Sequence, residues 1–61
     1  MNRDPDSTRN RILDAAQALI LDHGFGGTTV DAITERADVS KGAFFHHFSS
    51  KRELGEVLVQ R

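Results

Sequence analysis

The sequence contains no cysteine, tryptophan or tyrosine, one proline, and four phenylalanines among its 61 residues. Without cysteine, disulfide bonds and cysteine-ligated zinc sites are excluded. No apolar run approaches the roughly 18 residues of a membrane span, and the N-terminus lacks the apolar segment of a signal peptide. We therefore expect a cytoplasmic protein with no membrane partner. The chain also shows no nucleophile–base–orienter set and no Gly-rich phosphate loop, and it is too short to enclose a cleft, so we expect no enzyme activity. We also expect no cofactor or metal in this chain.

The net charge of −1 conceals an uneven distribution of charge. No acidic residue lies between Asp38 and Glu53, whereas that window contains Lys41, Lys51, Arg52 and two histidines. Clustering of basic residues in one window matters more than the total charge when the partner is a polyanion. The distribution favours nucleic acid as a partner.

Helical patterning along the whole chain predicts an all-α fold. Residues 1–7 are polar and contain the proline, so we expect a flexible arm there. From Thr8 the apolar residues follow the spacing i, i+1, i+4, i+7, i+8 of a single helix face. Gly24 should end this helix, because glycine adopts the left-handed conformation at little cost. The apolar face consists of Ile12, Leu13, Ala16, Leu19 and Ile20.

Two short helices should follow, and polar residues that can cap them precede each one. Thr28 and Thr29 offer side-chain oxygens to a helix over residues 30–37, and Ser40 offers one to a helix over residues 40–48. Their arrangement around a three-to-four-residue turn fits a helix-turn-helix. Asp38 lies in that turn, where a positive φ is needed and aspartate is tolerated. The apolar positions that should hold the two helices together are Ile33, Ala37, Val39, Phe44 and Phe48.

A fourth helix should begin after Ser50, which has the capping-box spacing to Glu53. Gly55 is expected to weaken this helix. Its apolar stripe consists of Leu54, Val57 and Leu58. The sequence therefore predicts a three-helix bundle with a helix-turn-helix, followed by the start of a fourth helix.

The third predicted helix combines an apolar inner side with an unusual outer side. At about 100° per residue, Phe44 and Phe48 point inward together. The outer side and its flanks comprise Gly42, Ala43, Phe45, His46 and His47. Small residues near the helix N-terminus allow close approach to a DNA major groove, and Lys41 can donate to guanine or phosphate. Glycine and lysine are otherwise unfavourable there, by about 0.5–1 and 0.3 kcal/mol respectively. Local rules broken on an exposed face indicate function.

The stretch TTVDAITERADVSKGAFFHHFSSKREL, preceded by TRNRILDAAQALILDHGFGG, resembles the N-terminal DNA-binding domain of the tetracycline-repressor (TetR-type) family of bacterial transcriptional regulators. The similarity runs from Thr8 to the end of the chain. It implies a DNA-binding domain over residues 8–48. It also implies that residues 49–61 begin a helix leading to a C-terminal domain, outside this chain, that dimerises and binds a small-molecule effector. The implied function is a homodimeric regulator, most often a repressor, on a pseudo-palindromic operator of double-stranded DNA.

The resemblance also implies a role for each matching residue. Lys41, Gly42 and Ala43 would meet base edges. The residues that would contact phosphate or the DNA backbone are Thr29, Ser40, Phe45, His46, His47 and Lys51. Two residues depart from the family pattern: Phe45 stands where tyrosine is common and Ala43 where threonine is common. Both departures remove a hydroxyl and affect base preference rather than the fold.

Simpler interpretations remain open for several of these residues. Thr29 can be only a helix cap, Phe45 can be a core or interdomain residue, and Lys51 can be a solvated charge. His46 and His47 are adjacent, so they do not have the i, i+4 spacing of a histidine metal pair. For the whole chain, the alternative is a helical protein-interaction module that uses the stripe of Leu54, Val57 and Leu58. Such a module would bind its partner with little dependence on salt.

Overall fold

The computed structural model describes residues 7–61. They form four helices: α1 (Ser7–His23), α2 (Val30–Ala37), α3 (Lys41–His47) and α4 (Lys51–Gln60). No strand occurs among these residues, and the predicted all-α fold is confirmed. The arm predicted over residues 1–7 lies outside the described residues except for Ser7, which already belongs to α1.

Helix α1 is the support on which the other three helices pack. Ile12, Leu13 and Ala16 are buried on one face, as the apolar spacing predicted. The helix ends at His23, and Gly24 follows with φ +80° and donates its backbone N–H to the Ile20 carbonyl at 2.7 Å. Glycine adopts a positive φ at little cost because it has no Cβ, so the predicted stop is confirmed.

Helix α2 is capped by one threonine, whereas the sequence suggested two. Thr29 has an extended backbone, and its hydroxyl oxygen accepts from the Ala32 N–H at 3.1 Å. Thr28 is buried instead, and its hydroxyl donates to the Gly24 carbonyl at 2.8 Å. The suggested cap at Thr28 is therefore wrong, because its side chain points into the preceding turn and binds the end of α1.

The turn between α2 and α3 has the geometry that the sequence predicted. Asp38 is left-handed, with φ 60° and ψ 48°, and its N–H donates to the Glu35 carbonyl at 3.2 Å. The Arg11 guanidinium reaches from α1 and donates to the carbonyls of Ala37 (2.7 Å) and Asp38 (3.2 Å). A cation at the end of a helix satisfies carbonyls that have no intrahelical partner. Arg11 therefore attaches the turn to α1.

Helix α3 is short, and its orientation depends on its buried side. Phe44 and Phe48 are almost completely buried, with ring centroids 5.6 Å apart. Ser40 caps the helix by accepting from the Ala43 N–H at 3.0 Å. The helix itself runs from Lys41 to His47, so the two ends of the predicted range, Ser40 and Phe48, are its caps.

Helix α4 begins with a variant of the predicted capping box. The Ser50 hydroxyl oxygen accepts from the Glu53 N–H at 3.1 Å. The Glu53 carboxylate accepts from the Ser49 hydroxyl and, at 2.6 Å, from the Ser49 N–H, one residue before the position that a standard box uses. The bond from the Ser49 hydroxyl has the larger effect and the bond from the Ser49 N–H the smaller one, and together they hold the pKa of Glu53 below its usual value. Among the three residues of the apolar stripe, Leu54 is fully buried and Val57 and Leu58 pack against the core.

Gly55 has a packing role that the sequence did not reveal. A Cβ at this position would lie 2.8 Å from Cε1 of Phe25. The phenylalanine ring therefore rests directly on the backbone of α4 and joins the glycine-rich turn to that helix. The expected weakening of α4 by Gly55 stays a prediction, and the structure adds that the glycine makes room for Phe25.

Candidate nucleic-acid interface

The exposed side of α3 is the part of the predicted site that the fold leaves accessible. We call it the α3 face and define it by Lys41, Gly42, Ala43, Phe45 and His46. Ala43 is half-buried and the other four residues are exposed. The inward-facing phenylalanines fix the helix from behind, so the α3 face is presented on a rigid support.

Gly42 is not required by the packing of the domain. A Cβ at this position would meet only the Ser40 hydroxyl oxygen, at an ordinary contact distance of 3.7 Å. Its φ is not positive, unlike that of Gly24. A larger side chain would therefore fit the free domain and would favour the helix. The absence of a side chain here has no explanation within the fold, and it leaves the α3 backbone open to close approach.

Phe45 is half-exposed and lies outside the buried core. Its ring meets Phe44 edge to face at a centroid distance of 5.0 Å. This contact fixes the ring on the flank of α3 while one side remains accessible. The interpretation of Phe45 as a core residue is therefore wrong for this domain, since half of its surface remains exposed.

The two histidines lie on different sides of the C-terminal end of α3. His46 is exposed and His47 is half-buried, and their rings meet edge to face with centroids 5.0 Å apart. Within residues 7–61, no three His, Cys, Asp or Glu side chains are grouped so that they could hold a metal ion. Of the two histidines, His46 belongs to the exposed α3 face, and its imidazole can donate or accept hydrogen bonds there.

The cap residues Thr29 and Ser40 are both exposed. Each hydroxyl oxygen already accepts a hydrogen bond from its own helix, as described above. A hydroxyl group can donate at the same time as it accepts. Capping and phosphate binding are therefore compatible at both residues.

Lys41 has a partner that sequence reasoning missed. Its ammonium lies 2.9 Å from a carboxylate oxygen of Asp31, in the first turn of α2. The window from Asp38 to Glu53 lacks acids in the sequence, yet the fold brings one to its edge. The separation of ten residues gave no local signal, because the contact depends on the angle between α2 and α3.

Lys51 is attached to the loop that precedes α2. Its ammonium donates to the carbonyls of Phe25 (3.0 Å) and Thr28 (2.9 Å) and lies 4.5 Å from the centroid of the Phe25 ring. The interpretation of Lys51 as a solvated charge is therefore wrong. An ammonium has three N–H groups, so two carbonyl partners leave one for a further acceptor.

A separate apolar groove of about 760 Å³ lies between α1 and α4, away from the α3 face. Leu21 and Val59 on its walls are largely exposed, at 79% and 86%. Leu58 also lines this groove, whereas Leu54 and Val57 do not. Most of the predicted interaction stripe therefore packs against the core of the domain and does not line the groove.

The structure contains two short helices joined through a left-handed residue. Buried aromatics hold the second helix, and its outer side is exposed. These features define a helix-turn-helix domain. Residues 12–58 match the family model described as bacterial regulatory proteins, tetR family. The chain belongs to the tetR family of bacterial regulatory proteins. This confirms the resemblance found in the sequence.

Several curated relatives share this region. The chain is 43% identical over 61 residues to the HTH-type transcriptional activator FasR of Mycolicibacterium smegmatis, covering 98% of this chain and 28% of the relative. It is 40% identical over 50 residues to the HTH-type transcriptional repressor AcnR of Corynebacterium glutamicum, covering 82% and 27%. It is 34% identical over 59 residues to the HTH-type transcriptional regulator UidR of Escherichia coli K12, covering 97% and 30%. The chain therefore spans less than a third of the length of these relatives. No solved structure matches the chain.

None of the helices between Ser7 and Gln60 is long and apolar enough to cross a membrane.

Proposed function

We propose that this chain is the sequence-specific DNA-binding domain of a transcriptional regulator, and that it inserts α3 into the major groove of an operator. The observation that carries this proposal is the exposed Gly42 at the start of α3, which the fold does not require. Base contacts by helix-turn-helix proteins come from the N-terminal part of the second helix. A helix start without side-chain bulk lets its backbone approach the base edges.

In this proposal the residues divide into two groups. Lys41, Gly42 and Ala43 face base edges, where the lysine donates to guanine and the alanine methyl can contact a thymine methyl. The residues at phosphates and sugars are Thr29, Ser40, Phe45, His46, His47 and Lys51. Phosphate contacts fix the register of the domain, and base contacts provide the sequence preference.

The regulator is proposed to act as a homodimer on a pseudo-palindromic operator in the bacterial cytoplasm. The chain spans less than a third of its relatives. We propose that dimerisation and binding of a small-molecule effector belong to a C-terminal domain outside this chain. Two copies of α3 would then lie one helical turn of DNA, or a multiple of it, apart. We propose repression as the output, because occupying a promoter is sufficient to block it. The names of the relatives include both an activator and a repressor.

The alternative of an interaction module has less support. Its proposed stripe depends on Leu54, which is fully buried beneath α4. Val57 and Leu58 are partly buried against the same core.

The proposal is tested by selecting bound duplexes from a random DNA pool and comparing two leucine variants. Gly42→Leu adds a leucine side chain to the α3 face, and Gln60→Leu places the same apolar side chain at an exposed position at the end of α4. We expect Gly42→Leu to keep its helical circular dichroism and to lose preference for the selected sequence. Gln60→Leu should bind as the unmodified chain does, with an affinity that falls steeply with salt. Normal selective binding by Gly42→Leu would overturn the groove model, and salt-independent binding would favour the interaction module.

A further inference from the structure

The ion pair between Asp31 and Lys41 joins the first turn of α2 to the first residue of α3, at the edge of the α3 face. The two charged atoms are 2.9 Å apart, and the side chains are 74% and 60% exposed respectively. Thr29, which caps α2, lies two residues before Asp31. An acid therefore lies beside the side chain that is proposed to meet base edges.

Stability of the fold gives little reason for this pair. Ion pairs between exposed side chains contribute little or nothing measurable to folding stability. An acid in the first turn of α2 does interact favourably with the helix dipole. That interaction explains a carboxylate on α2, but it does not depend on Lys41.

The pair has a larger consequence for DNA binding. A free lysine is a mobile cation on four methylene groups and can pair with any phosphate it reaches. Held by Asp31, the Lys41 ammonium stays at the start of α3 and does not pair with the phosphates around it. A site that withholds a contact from wrong partners gains specificity, as does a site that adds a contact to the right partner.

We propose that Asp31 is a positioning residue that increases sequence discrimination by holding Lys41 toward the base edges and away from the phosphate backbone. This inference rests on the proposed DNA-binding function. In this proposal Asp31 does not contact a base itself, and its effect on sequence discrimination depends on Lys41.

The test compares Asp31→Asn with Glu35→Gln, which removes an exposed acid from the same helix. The probes are a 30-base-pair duplex with the sequence selected from the random pool and a shuffled duplex of equal composition. For Asp31→Asn we expect affinity for the shuffled duplex to rise about two- to fivefold, the range corresponding to an exposed ion pair. The slope of log affinity against log salt on that duplex should steepen by about one unit, because Lys41 gains a phosphate. The ratio of selective to non-selective affinity should fall. Asp31→Glu keeps the charge and should restore most of the discrimination.

A second measurement separates positioning from a general charge effect. In a Lys41→Ala background, Asp31→Asn should change affinity no more than Glu35→Gln does. An equal effect of Asp31→Asn with and without Lys41 would overturn the inference, as would an equal effect of the two acid substitutions in the unmodified chain. The urea midpoint of each variant identifies any loss of fold. If the unmodified chain bound both duplexes equally, the proposed function itself would fail and the inference with it. Discrimination that survives Asp31→Asn would overturn only the inference.

Discussion

Lys51 offers the sharpest test of how α4 supports the interface. Lys51→Met keeps most of the aliphatic stem and removes the ammonium, which donates to the carbonyls of Phe25 and Thr28 at 3.0 and 2.9 Å. A hydrogen bond from a charged donor contributes about 1.5–3 kcal/mol when well shielded. Lys51 is only half-buried, so we discount each bond to about 0.5–1 kcal/mol and add about 0.5 kcal/mol for the nearby Phe25 ring. The free energy of unfolding should therefore fall by about 1.5–2.5 kcal/mol.

This loss is measured by urea denaturation, in which the midpoint should fall while the slope m stays constant. Arg52→Met is the matched control, because Arg52 is largely exposed and its contact with Glu56 is long, at 3.9 Å. The control should stay within about 0.5 kcal/mol of the unmodified chain. An unchanged midpoint in Lys51→Met would refute the reasoning from the carbonyl contacts.

The same variant tests the proposed phosphate contact independently. Below the melting temperature, where both proteins are folded, Lys51→Met should weaken binding to all DNA sequences and reduce the salt slope by about one unit. If stability fell and the salt slope did not, Lys51 would act only as the attachment of the loop to α4. That result would remove Lys51 from the DNA contacts and leave the rest of the interface intact.

Two further predictions concern α4. Because hydrogen bonds from Ser49 lower the pKa of Glu53, its ionised form stabilises the folded state at pH values above the usual glutamate range, and this contribution is lost as pH falls through the lowered pKa. Urea midpoints at pH 7, 5 and 3 should show Glu53→Gln less stable than the unmodified chain at pH 7, with the difference shrinking toward pH 3; a constant difference would contradict the linkage. Gly55→Ala should not give the gain of about 1 kcal/mol expected from helix propensity, because its Cβ would lie 2.8 Å from Phe25. In a Phe25→Ala background the gain should appear, and its absence there would show that the ring is not the obstacle.

The elements of the fold were predictable because their signals are local. The end of α1 at Gly24 and the left-handed turn at Asp38 both depend on the backbone preferences of one residue. Phe44 and Phe48 could be assigned to the core because a helix places residues four apart on one face. The caps were predicted almost correctly, and the error at Thr28 arose because two adjacent threonines offer the same chemistry.

The contacts that organise the site were not predictable for the opposite reason. Arg11 binds carbonyls 26 and 27 residues away, and Lys51 binds carbonyls 26 and 23 residues away. A long cationic side chain has many possible partners, and the choice depends on helix crossing angles that periodicity does not contain. For the same reason the sequence pattern could not predict the ion pair of Asp31 with Lys41, which lies on the next helix. The sequence pattern identified which side of α3 is exposed but not which neighbours constrain it.

Arg11 and Lys51 together have a consequence for how such a domain can diversify. Both cations end on backbone carbonyls around α2, one at each end of that helix, and backbone carbonyls are present whatever the side chains are. Neither attachment uses a side chain of the α3 face. Residues at Lys41, Gly42, Phe45 and His46 can therefore be exchanged between related proteins without disturbing the supports of the domain. The surface that is proposed to contact DNA can therefore change by substitution at little cost in folding stability, and new binding preferences can arise in this way.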